Sequence, residues 1–228
     1  MTQEPLAGRN DDLAALVIGI LGGTGDQGRG LARRLSMAGN RVIIGSRDAA
    51  RAAAAASELG GGPLLAGGLN QEAAERADLV IAAMPWDGHR DLLVSLAARL
   101  AGKVVIDCVN PMGFDAKGAY PIRVPEGSAA EQAAAVLPDS TVVGAFHHVS
   151  ATVLLDPGVE KVELDVLVLG DDRPATDLVA ALADRIPGMR GIYGGRLRNC
   201  GQVEALTANL IAINRRYKAH AGLRITDV

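Results

Sequence analysis

Short, uninterrupted apolar runs alternate along the first two thirds of the chain with longer stretches whose apolar positions recur at helical spacing. The run Leu16-Val17-Ile18-Gly19-Ile20-Leu21 predicts a first strand. Leu31, Leu35 and Ala38 mark an amphipathic helix over 29–38, which Gly39-Asn40 ends. A second strand is expected over 41–45. An alanine-rich, strongly helix-favouring segment over 47–59 follows, broken by Gly60-Gly61-Gly62-Pro63. A short strand over 64–66, a helix from Asn70 to Ala77 and a strand over 79–83 come next. They are followed by a helix over 91–100 and a strand over 103–107, then by a helix over 128–137 and a strand over 141–146. Strands that stay apolar throughout, rather than alternating, are covered on both faces. The strand-helix order therefore predicts an α/β fold of the Rossmann type, a doubly wound parallel sheet linked by right-handed crossovers.

The pattern changes after about residue 150. A strand over 162–169, a helix over 174–186, a short strand over 190–193 and a long helix over 199–221 read as a small α/β C-terminal domain. The expected organisation is a flexible tail over 1–14, a dinucleotide-binding domain over 15–150 and the small domain over 151–228. The small domain would close the crevice beyond the carboxyl ends of the strands, where such folds bind ligands.

The first strand runs into Gly23-x-Gly25-x-x-Gly28 and then a helix. This is the dinucleotide fingerprint: glycines permit a tight turn and close backbone approach, and the pyrophosphate rests on N–H groups at a helix N-terminus. The end of the second strand decides which dinucleotide. An NAD site places Asp or Glu there for the ribose hydroxyls, whereas this chain offers Ser46 and Arg47, with Arg51 one helical turn on. A carboxylate would repel a 2′-phosphate, while a hydroxyl and two guanidinium groups would bind it, with Thr24 able to add a further hydroxyl. The cofactor read from these residues is NADP(H).

Composition narrows the field further. The 228 residues carry a formal charge of −3 and only 3% aromatics, so neither a basic surface nor stacking aromatics speak for nucleic acid. No apolar run reaches membrane-spanning length. The polar start, 1–12, lacks a signal-peptide core, and Cys108 and Cys200 lack metal-ligand spacing. A cytoplasmic protein with reduced cysteines is expected.

Three further loops leave strand carboxyl ends: Met84-Pro85-Trp86-Asp87, Asp107-Cys108-Val109-Asn110-Pro111 and His147-His148-Val149-Ser150-Ala151. Adjacent residues on extended backbone point to opposite faces, so His147 and His148 are not expected to share a metal ion. One imidazole would reach the reacting groups and the other would be structural. The chain shows no Ser-His-Asp or Cys-His signature and no Tyr-x-x-x-Lys pair. Hydride transfer between two redox rings needs little acid-base assistance, because positioning carries most of it.

The chain resembles the F420-dependent NADP oxidoreductases, of the actinobacterial kind, over nearly its whole length from Val17. The resemblance is carried in order by Leu21-Gly22-Gly23-Thr24-Gly25, Gly45-Ser46-Arg47, Pro85-Trp86, Asn110-Pro111, Ser128-Ala129-Ala130-Glu131, Ala145-Phe146-His147-His148 and Gly170-Asp171-Asp172. It implies reversible hydride exchange between C5 of the deazaflavin coenzyme F420 and C4 of the nicotinamide, in a homodimer whose small domain helps hold the deazaflavin. It further implies that Thr24, Ser46, Arg47 and Arg51 bind the 2′-phosphate. Gly25, Asp26 and Gln27 would lie along the pyrophosphate, and Met84, Asn110 and Ala151 near the nicotinamide. His147, Val149 and Ser150 would meet the deazaflavin, the ring of His147 donating a hydrogen bond to it. Some relatives carry Pro where Ser150 stands and Lys where Arg51 stands. Two other readings stay open at this point: an NADPH-dependent imine or carbonyl reductase akin to pyrroline-5-carboxylate reductase, and a non-catalytic NADP sensor. Arg196, Arg198, Arg215, Arg216 and Lys218 could hold the acidic tail of the deazaflavin coenzyme or form a solvated face.

Overall fold

The structure, a computed structural model, describes residues 13–228. Strand β1 (Val17–Leu21), helix α1 (Asp26–Met37), β2 (Arg41–Ser46), α2 (Ala49–Glu58) and β3 (Leu65–Leu69) form the first crossover series. Next come α3 (Asn70–Arg76), β4 (Leu79–Ala82), α4 (His89–Leu100) and β5 (Val104–Asp107). A hairpin, β6 (Met112–Asp115) and β7 (Gly118–Pro121), precedes α5 (Ala129–Val136) and β8 (Thr141–Gly144). The chain ends with α6 (Ala151–Leu155), β9 (Leu164–Leu169), α7 (Arg173–Asp184), β10 (Met189–Gly195), a single 3₁₀ turn over Leu197–Asn199, and α8 (Cys200–Tyr217).

Eight strands make one sheet in the order β10-β9-β8-β5-β4-β1-β2-β3. Alternate residues of each strand serve opposite faces. Ile18, Ile20, Ile44 and Ile81 join Leu31 and Leu35 in one core. Leu21, Ile43, Val80 and Val105 join Leu93, Leu96 and Leu100 in the other. Burial on both faces is why these strands read as continuous apolar runs. The alanine and glycine bias also has a packing cause. A Cβ on Gly67 of β3 would fall 2.2 Å from the backbone of Ala52, so α2 lies almost directly on the strand.

The strands of the first two thirds pair in parallel as expected, and the two strands assigned to the small domain extend the same sheet across one antiparallel junction. β8 and β9 are antiparallel and pair only through Gly144↔Leu169, the last residues of both strands. β9 and its parallel partner β10 therefore project beyond the carboxyl end of β8, over the end where ligands bind in such folds. Val166, Val168, Val179 and Leu182 of this extension share a core with Phe146, Val149 and Leu154.

Other departures are local. The connection 112–121 is a hairpin, closed by Asp115 Oδ1 accepting from the N–H groups of Lys117 and Gly118 (2.7 and 3.1 Å), with Gly118 at φ 125°. The segment after Ser150 is a short helix. The last helix stops at Tyr217 rather than 221, because Lys218 turns left-handed at φ 51°. Residues 1–12 of the expected 1–14 tail lie outside the described residues. Leu13 is already buried, its carbonyl accepting from Asn40 Nδ2 at 2.7 Å, so the folded unit begins before residue 15.

Candidate active site

The turn after β1 is built on glycine for two reasons. Gly22 sits at φ 64° and its N–H donates to Asn70 Oδ1 at 3.0 Å. A Cβ on Gly28 would fall 2.5 Å from Gly23 Cα, so α1 is seated on the loop itself. Gly25 is the helix cap and supplies no side chain to the first N–H groups of α1. A Cβ there would meet nothing nearer than 4.0 Å. An exposed, uncapped helix N-terminus with the positive end of its dipole outward suits a pyrophosphate. Asp26 opens the helix there, and Gln27 reaches away, donating from Nε2 to Phe146 O at 3.1 Å.

At the end of β2, Ser46 is buried and its Oγ accepts from the Asp48 N–H at 3.2 Å. The carboxylate of Asp48 is committed to capping α2, accepting from Ala50 and Arg51 N–H at 2.9 and 3.2 Å. The guanidinium groups of Arg47 and Arg51 remain exposed. The site thus presents two cations and a hydroxyl, with its neighbouring anion already hydrogen-bonded. A cavity of about 350 Å³ brings together Thr24, Gly25, Ser46, Arg47, Arg51, Met84 and Pro85 from the sequence expectation, and adds Asn70, Asp87, Gly88 and Leu92. Trp86 is not among its lining residues. Its ring stacks on His89, centroids 5.5 Å apart.

A second cavity of about 240 Å³ gathers Gln27, Asn110, His147, Val149, Ser150 and Ala151, together with Thr207, Leu210, Ile211 and Asn214 of α8. The loop after β8 turns sharply because Phe146 is left-handed at φ 63°. This corrects one expectation. The imidazole of His147 does not face the cavity: its side chain is wholly buried, with Nε2 directed at Glu204 Oε1 3.8 Å away. What His147 presents is main chain, and its carbonyl accepts from Asn110 Nδ2 at 2.7 Å and Thr207 Oγ1 at 3.2 Å. His148 points elsewhere, Nε2 accepting from Leu167 N–H at 3.3 Å.

Sequence reasoning missed Thr207, His89 and Glu204. Thr207 sits one turn beyond Glu204 on α8, whose helical character was legible but whose inward face was not. Glu204 accepts from the Ala129 and Ala130 N–H groups at 2.9 and 3.2 Å, capping α5 from a distant element. Burial raises its pKa to about 7 in spite of those donors. Burial lowers His147 to about 4, against the pull of Asp107, and lowers His148 to about 4, helped by His147.

These shifts predict an acid-sensitive fold. Between pH 6.5 and 4 the unfolded chain protonates both histidines, whereas the folded chain resists, so stability falls by on the order of 3 kcal/mol for each. Glu204 acts oppositely: its folded carboxyl takes a proton near 7 and its unfolded one near 4.5, so stability rises by a similar amount as pH falls through that range. The balance is a net loss of about 3 kcal/mol by pH 4. Glu204→Gln removes the offset, so its acid loss should be about twice as large. Urea midpoints at pH 6.5 and 4 check this, and an equal acid loss in the variant contradicts it.

Among known proteins, the family described as NADP oxidoreductase, coenzyme F420-dependent, matches residues 17–111. An F420-dependent NADP reductase of Methanothermobacter marburgensis is 41% identical over 221 residues, spanning 92% of this chain and 98% of that protein. The F420-dependent NADP reductase of Methanocaldococcus jannaschii is 39% identical over 222 residues, 92% and 98% of the two chains. A solved structure from Arthrobacter sp. FB24, provisionally described as an F420-dependent NADP reductase, has TM-score 0.81 at 27% identity. It covers 93% of this chain and all of its own. With two-fifths of its residues shared along almost the full length of such relatives, the chain belongs to the family of F420-dependent NADP oxidoreductases.

Proposed function

We propose that this protein catalyses reversible hydride exchange between C5 of the reduced deazaflavin coenzyme F420 and C4 of NADP⁺. The observation that carries the reading is the pairing of two cavities across one glycine loop. The first joins the cationic Ser46-Arg47-Arg51 pocket to the uncapped N-terminus of α1, and the second begins two residues later at Gln27. The residues fit the molecules. The pocket offers hydroxyl and guanidinium donors to a phosphate, and Gly25 leaves room for a pyrophosphate. Val149, Leu210 and Ile211 give the second cavity apolar walls against a planar ring.

The two coenzymes supply the redox chemistry when bound. The chain supplies position and exclusion of water. In this reading Gly23, Thr24, Gly25, Asp26, Gln27, Gly28, Ser46, Arg47 and Arg51 hold the phosphate-bearing half of NADP(H). Met84, Pro85, Asn110 and Ala151 form the nicotinamide side, with Trp86 behind them, stacked on His89. His147, Val149 and Ser150 meet the deazaflavin, His147 through main chain that Asn110 and Thr207 hold in place. The cavity lining includes no tyrosine, lysine or carboxyl group, and its two histidines, His147 and His148, direct Nε2 to Glu204 and to the Leu167 N–H; this fits ring-to-ring transfer better than reduction of an imine or carbonyl needing a proton donor.

In the same reading, residues 15–150 bind the nucleotide and 151–228 close the second cavity. Exposed Phe114 and Tyr120 of the hairpin and Tyr217 of α8 are candidates for a homodimer contact. Buried free thiols at Cys108 and Cys200 are consistent with the cytoplasm, and among the described residues no helix is long and apolar enough to cross a membrane. The test is direct. The protein is mixed with NADPH and oxidised F420, and the visible band of the deazaflavin is followed. The band should bleach with NADPH and persist with NADH; persistence with both, despite tight NADPH binding, would leave the sensor reading standing.

A further inference from the structure

Two walls of the proposed site are joined below the surface by charges that the reaction itself does not use. His89 opens α4 directly after the loop that gives Met84, Asp87 and Gly88 to the first cavity. Asp107 ends β5 three residues before Asn110, which lines the second. Their side chains, both without exposed surface, meet at 2.6 Å between Nε2 and Oδ2. The other ring nitrogen lies 3.0 Å from Gln132 Oε1, and that amide is oriented by its Nε2 donating to Glu126 Oε2 at 3.2 Å. The second oxygen of Asp107 accepts from Val109 N–H at 3.0 Å. With an acceptor against each ring nitrogen, the imidazole holds both protons, and the pair is imidazolium with carboxylate.

Such a pair is costly in a core. Well-packed apolar residues of the same volume would be as stabilising or more so. The charge also sits at the N-terminal end of a helix, where the dipole disfavours a cation. Stability of α4 therefore does not account for it. Placement does: the pair is a direct side-chain link between the loop of one cavity and the strand end that carries the other, and Trp86 is stacked on the same ring.

We propose that the His89–Asp107 pair is a positioning latch that fixes the spacing between the nicotinamide side of the first cavity and the Asn110 side of the second. This rests on the hydride-transfer reading above. The latch exchanges no proton with the coenzymes; it sets how closely the donor and acceptor carbons approach. A misplacement of about 1 Å can slow a reaction by roughly a hundredfold without altering what is bound. The groups facing His89 are Asp107 from β5, Gln132 from α5 and, more remotely, Glu204 from α8, with Glu126 behind Gln132. Burial opposes its charge, but the hydrogen bond and charge of Asp107, followed by Gln132 and Glu204, outweigh burial and hold its pKa above the ordinary histidine value.

Asp107→Asn keeps the shape and removes the charge. Single-turnover hydride transfer from NADPH to F420 should fall roughly ten- to a hundredfold, with the dissociation constants of both coenzymes changed by less than about threefold. Trp86 is the chain's single tryptophan and is stacked on His89, so its emission in the coenzyme-free protein should rise as the adjacent ring loses its charge. If the variant does not fold, the unaltered protein labelled with ¹⁵N-histidine decides. In a pH titration one of its four histidines should keep both ring nitrogens protonated to higher pH than an ordinary imidazole, and that signal should move on adding NADPH. An unchanged transfer rate, a parallel loss of NADPH affinity, or no histidine holding both protons above the ordinary imidazole range would overturn the latch. Absence of transfer in the unaltered protein would instead overturn the functional reading.

Discussion

Replacing Arg47 and Arg51 together by alanine should weaken NADPH binding by about a hundredfold while leaving NADH binding nearly unchanged. Each guanidinium offers a phosphate a charge-assisted hydrogen bond worth roughly 1.5–3 kcal/mol, and both groups are exposed, so the lower end applies and the pair sums to about 3 kcal/mol. Ser46 and Thr24 remain in the double variant and retain part of the contact. The prediction depends on Asp48 as much as on the arginines. Its carboxylate stands beside the proposed phosphate position, yet its Oδ1 is occupied by the first N–H groups of α2. A free aspartate there would favour the ribose hydroxyls of NADH. Titration of the variant with both nucleotides checks the point. A comparable loss for NADH would mean that the arginines hold a feature common to the two, such as the pyrophosphate.

Much of this pocket could be read directly from the chain, because its parts are close in sequence and each has a local signature. Gly23 to Gly28 bridge a strand and a helix, and Ser46 to Arg51 span the end of one strand and the first turn of the next helix. The doubly wound sheet was legible for a similar reason: strands buried on both faces cannot alternate, and Val80, Ile81 and Ala82 do not.

The second cavity was only partly legible. Extended backbone was expected to send one of the two imidazoles toward the ligand, and the family resemblance made that ring His147. Phe146 at φ 63° breaks the alternation, and the ring goes inward to Glu204. No residue pattern announces that φ, which for a phenylalanine is a strained choice imposed by its surroundings. Buried partners far apart in sequence were equally hidden. Glu204 caps a helix 75 residues away and His89 finds Asp107 18 residues on. Sequence periodicity records which face is apolar, but it does not record which buried polar group meets which.

Arg34→Met should have the largest effect on the fold and should strike the second cavity hardest. Arg34 lies on α1, the helix whose N-terminus faces the proposed pyrophosphate position, yet the residue is only 2% exposed. It donates to the carbonyls of Val153, Leu154, Asp156 and Val159 at 2.8, 2.8, 3.1 and 2.7 Å. These are carbonyls at the end of α6 and just beyond, the negative end of that helix; that of Asp156 also accepts from Val159 N–H at 3.3 Å. Burial lowers the pKa of the arginine, with Arg33 adding to the effect, but the carbonyl cage keeps the group useful as a five-donor cation. α6 has five residues, too few to hold together unaided, and it begins immediately after Ser150. A Cβ on Gly30 would fall 2.6 Å from Leu154 Cβ, so the two helices are also in direct contact. Methionine fills the space but satisfies none of the carbonyls, and the expected loss is about 3–5 kcal/mol, a large share of a typical domain's stability. Lysine, with one compact charge in place of a fork, should recover only part of it. In protein that still folds, the Michaelis constant for F420 should rise far more than the dissociation constant for NADPH, because the released segment carries Val149, Ser150 and Ala151 and not the glycine loop. Urea denaturation and paired titrations measure both. Equal effects on the two coenzymes would show that Arg34 supports α1 itself and does not anchor the loop that closes on the deazaflavin.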